Sequence, residues 1–192
     1  MPALDIHIYE IEARYPDRGL DYVHALEEVE RTVPLDEKGK KRLSYLIADG
    51  WLRNGRGRPY LEQIEPRFLA NDPDLLQWQG KEDTGMRATI LYNLGWACVQ
   101  PDVRDYARAI DYWEQSLPIC PPGVLESTYG NLANYARRIG DYPRAARYLE
   151  MLLAEFPESR NVEVNRQQLS WVYQQLAADG QQPQPQKREE TP

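Results

Sequence analysis

The sequence predicts an all-α protein, an array of antiparallel helix hairpins. Apolar residues recur at helical spacing along nearly the whole chain. Clusters of Pro, Gly, Asn and Asp cut that pattern into segments, and connections this short force neighbouring helices to pack as hairpins. The spacing between Leu91 and Pro121 then returns between Tyr129 and Pro157.

The first segment carries Leu4, Ile8, Ile11 and Tyr15. Leu4, Ile6 and Ile8 also alternate as a strand would, but the Tyr15-Pro16-Asp17 stop favours a short helix. Next come Leu20, Val23, Leu26 and Val29, then Leu43, Leu46 or Ile47, and Trp51, then Leu61, Ile64 and Phe68. Breakers separate them at Pro16 to Gly19, Thr32 to Pro34, Asn54 to Pro59 and Asn71 to Pro73. Pro66 falls inside the last of these helices and should kink it or end it early. No strand is predicted after residue 12.

In the later half, Leu91, Leu94, Gly95 and Cys98 precede Asp105-Tyr106, then Ala109, Trp113, Ser116 and Pro121. The second copy runs Tyr129, Leu132, Ala133 and Ala136, Asp141-Tyr142, then Ala145, Leu149, Leu152 and Pro157. Gly95 and Ala133 on first helices, and Ala109 and Ala145 on second helices, are small where helices cross. Asp105 and Asp141 are predicted N-caps. The first copy has two extra residues between Cys98 and Asp105 relative to Ala136 and Asp141 in the second, with PDVRD in the turn where the second has GD.

This pattern resembles the tetratricopeptide-repeat (TPR) family. The resemblance implies a right-handed superhelical array, with two repeats and a capping helix in which Arg166, Leu169, Ser170 and Tyr173 keep the first-helix spacing. It implies three regions: a degenerate helical-hairpin region over 1–80, the repeats and cap over 81–178, and a tail over 179–192. In the early region Tyr60 stands where the template wants a small residue. The tail is rich in Gln, Pro and charge and has nothing apolar to bury, so disorder is expected there.

The 192 residues carry a net charge of -7, the wrong sign for wrapping a polyanion, which disfavours nucleic acid as main partner. Glu10, Glu12, Arg14, Asp17 and Arg18 interrupt any apolar run near Met1, so neither a secretory segment nor a membrane span is expected, and the chain reads as cytoplasmic. Cys98 and Cys120 form no CxxC and only two histidines accompany them, so the thiols are expected free, with no metal or cofactor.

Several candidates for chemistry reduce to bland readings. His7 and His24 have no Ser, Cys or Asp arrangement that spacing makes catalytic, and Glu27, Glu28 and Glu30 near Asp21 read as a solvated acidic face. NGRGRP, Asn54 to Pro59, lacks the order of a phosphate loop. With Lys38, Lys40, Lys41, Arg42 and Arg53, its Arg56 and Arg58 make a basic island, a solvated turn or a docking patch for an acidic partner.

In the resembling family, first-helix residues line a concave groove. Carried onto this chain, that geometry implies a partner-binding groove of Tyr92, Asn93 and Trp96, then Asn131, Asn134, Arg137 and Arg138, then Gln167, Gln168, Trp171 and Gln174. Carboxamides hold peptide backbone whatever its sequence, and Trp96 or Trp171 offers a flat apolar face. Tyr92 and Gln167 stand where a clamp for a terminal carboxylate would want lysines. The expected function is non-enzymatic: a scaffold binding another protein or an extended peptide. The alternatives are a ligand-sensing domain with a pocket around Trp51 and Tyr60, and a homo-oligomeric structural protein.

Overall fold

A computed structural model describes residues 2–78, 81–178 and 180. The chain divides into two compact units, Met1–Cys120 and Pro121–Pro192. The first holds α1 (Pro2–Arg14), α2 (Leu20–Thr32), α3 (Glu37–Arg53), α4 (Arg58–Leu69), α5 (Pro73–Leu76), α6 (Thr84–Cys98) and α7 (Tyr106–Ser116), closed by a 3-10 turn, Leu117–Ile119. The second holds α8 (Pro122–Arg138), α9 (Tyr142–Glu155) and α10 (Val162–Ala178). The fold is all-α apart from one departure from expectation, a two-residue antiparallel ladder of Gln77–Trp78 and Lys81–Glu82. A ladder that short displays no period-2 pattern for a sequence reading to detect.

The helices begin where aspartates cap them. Asp36, Asp83, Asp105 and Asp141 each accept a hydrogen bond from the backbone N–H three residues on, satisfying a donor the helix itself leaves unpaired. The α8–α9 connection turns at Gly140, whose φ of 79° is the left-handed conformation that ends helices at least cost. In α4, Pro66 lies in the last turn, and the helix closes at Leu69. Tyr60, too large for the repeat template, is fully buried.

The α1–α3 core gathers Leu4, Ile8, Val23, Leu26, Leu43 and Ile47. Between α6 and α7, Gly95 meets the Trp113 indole: a Cβ on Gly95 would lie 2.5 Å from Trp113 Nε1, which itself donates to the Tyr92 carbonyl at 3.1 Å. Ala109 is buried beside it. In the second unit α9 packs against both α8 and α10, burying Leu132, Ala133, Ala145, Leu149 and Leu152.

Helix α10, which the resemblance reads as a cap, turns a different face inward from the one its spacing predicts. Asn165, Val172 and Leu176 are buried, whereas Ser170 and Tyr173 are exposed. None of the described helices is long and apolar enough to cross a membrane.

Candidate functional site

The second unit contains an open groove of about 800 Å3. One wall is α8, where Ser127, Gly130 and Asn134, spaced three and four apart, share a face beside the apolar face packed on α9. The facing wall is the start of α10, with Asn161, Asn165 and Gln168 at the same spacing, and Leu149 and Leu152 of α9 lie beneath. Glu126, which accepts a 2.5 Å hydrogen bond from the Ser159 hydroxyl, joins Glu158 and Arg160 around it, so both charge signs are present.

Three features of this groove are chemically specific. Gly130 sits inside a helix, where glycine costs about 1 kcal/mol relative to alanine. No crossing helix requires it, since a Cβ there would meet nothing within 4 Å. Asn165 is only 9% exposed and lines the groove. Asn134 Oδ1 accepts from Arg137 Nη2 at 3.2 Å, which leaves the Nδ2 donors for whatever enters.

Of the residues the sequence assigns to a groove, Asn134 and Gln168 line this one. Arg137 adjoins it through Asn134, its guanidinium 5.4 Å from the ring centre of Trp171, and Trp171 meets Tyr142 edge-on at 5.8 Å. The Arg137 Nε is buried without an acceptor. Trp171 is 39% exposed, so one face remains open. Arg138 lies over the Tyr135 ring, Asn131 is half-buried, and Gln167 and Gln174 are exposed.

Tyr92, Asn93 and Trp96 belong to the first unit. Tyr92 tilts against Trp113 with ring centres 6.5 Å apart, and Trp96 is 39% exposed. Asn93 faces the buried Tyr60 hydroxyl, which also lies against Tyr45 but has no hydrogen bond of ordinary geometry. Burial pushes the Tyr60 phenol well above its ordinary range, and Tyr45, its neighbour, is raised for the same reason. Asp49 pairs with Arg53 at 2.7 Å nearby, and the buried Tyr22 hydroxyl is likewise unpartnered. Trp51 is engaged elsewhere, packing on the α1–α3 core and donating from Nε1 to Glu27 at 3.0 Å.

Much of the basic island is engaged in ion pairs within the first unit. Lys40 pairs with Glu37 at 2.8 Å, Lys41 with Asp74 at 2.8 Å and Arg42 with Asp5. The NGRGRP loop does hold an anion, the carboxylate of Asp102, through the amides of Gly57 at 2.9 Å and Arg58 at 3.1 Å. The Arg58 side chain adds a 3.0 Å bond to the Asp102 carbonyl. Burial raises the Asp102 carboxyl, but the two amides, with the Arg56 charge, outweigh it and hold the group below the usual carboxylate range. The extra residues of PDVRD thus carry the acid that fills the loop.

The remaining candidates are similarly occupied. His24 Nδ1 lies 3.1 Å from Glu27 and meets Trp51 edge-on, while Glu28 pairs with Arg31. No cluster of three or more His, Cys, Asp or Glu suited to a metal ion occurs among the described residues. Neither Cys98 nor Cys120 forms a disulfide, and burial pushes the Cys98 thiol up to about 12. The tail over 179–192 falls outside the described residues apart from residue 180.

No family model, curated protein or solved structure matches the chain.

Sequence reasoning missed Gly130, Asn161 and Asn165. Gly130 carries a local sign, a glycine within an otherwise regular helical pattern. Asn165 has none, because only the packing of α10 turns it inward.

Proposed function

We propose that the chain is a non-enzymatic binding module in which α6–α7 and α8–α9 are tetratricopeptide-like repeats and α10 is the cap, and that it holds an extended segment of a partner protein. The observation that carries this reading is the groove between α8 and α10, walled by carboxamides at Asn134, Asn161, Asn165 and Gln168. Carboxamides present both donors and acceptors and so match peptide units, whereas hydrolytic or transfer chemistry needs an activated nucleophile or base. The test is cross-linking in the native cell with full-length protein carrying a photoreactive residue at Asn161, an exposed position on the groove. The reading expects one stoichiometric partner, attached through a short segment, and loss of that product when Asn134 and Asn165 are both changed to Ala. Cross-links scattered over many proteins, unchanged by the double variant, would overturn it.

A second reading, ligand sensing by the first unit, draws on the unpartnered hydroxyls of Tyr22 and Tyr60 beside Asp49. It expects metabolite-dependent melting of the full chain, abolished by Tyr60→Phe.

A further inference from the structure

We draw no further inference here: the strongest candidate, the cluster of Tyr22, Tyr45, Asp49 and Tyr60 between α2, α3 and α4 of the first unit, already serves the ligand-sensing reading, and its unpartnered Tyr22 and Tyr60 hydroxyls are closed off from the surface with nothing in the structure to show what would reach them.

Discussion

The Asp102 carboxylate accepts the backbone N–H of Gly57 at 2.9 Å, across 45 residues of chain. The bond fastens the α6–α7 turn to the start of α4, where unpaired amides and the helix dipole favour a negative charge. Asp102→Ala should cost about 1–3 kcal/mol, because two amides lose a charged acceptor, with Asp102→Asn between it and the parent in urea unfolding. The folded group titrates below its unfolded value, so its contribution is fully present above that value, about pH 4. It disappears as pH falls through the lower folded value. The stability gap between parent and Asp102→Asn should therefore narrow on acidification.

Glycines at close backbone approaches give a graded test. A Cβ on Gly57 would lie 2.0 Å from the Ala97 carbonyl oxygen, a main-chain atom that cannot move aside alone. At Gly95 the obstacle is the Trp113 ring, a fully buried side chain tied to the Tyr92 carbonyl. Gly95→Ala should cost about 1–3 kcal/mol by overpacking, and Gly57→Ala should cost more. Equal, negligible losses in chemical denaturation would refute both contacts.

Burial and a thiol pushed up to about 12 make Cys98 a poor nucleophile at neutral pH. Cys120 is half-buried. An aromatic disulfide reagent should label Cys120 in the folded protein and reach Cys98 only as unfolding is induced. Rapid native labelling of both would mean that the α6 core opens readily.

Glu65 joins α4 to α7 by accepting from both the Arg108 guanidinium and the Tyr112 hydroxyl. Burial pushes the Tyr112 phenol up to about 12, and the nearby Glu65 carboxylate adds to the rise. Glu65→Ala should cost about 3 kcal/mol, since it strands a partly buried cation as well as a hydroxyl, whereas Tyr112→Phe should cost about 1 kcal/mol. Thermal melting of the two variants, with the double variant to measure coupling, checks the order.

The sequence by itself determined what depends on near neighbours in the chain. Helical spacing placed the segments, Asp105 and Asp141 marked helix starts, and the pairing of Gly95 and Ala109 with bulky Leu94 and Trp113 read as a helix crossing. Each follows from residues within a few turns of one another, where periodicity and capping act. Tertiary structure decided the rest. NGRGRP lacks the order of a phosphate loop, yet its amides hold the distant Asp102 carboxylate, and the basic island reads as a solvated turn or a docking patch until Asp5 and Asp74 pair with Arg42 and Lys41. In α10 the packing against α9 decides which face turns inward, so Asn165 is buried and Tyr173 exposed. These outcomes are contacts between distant segments, and spacing along a chain carries no record of which distant charge or helix arrives beside it.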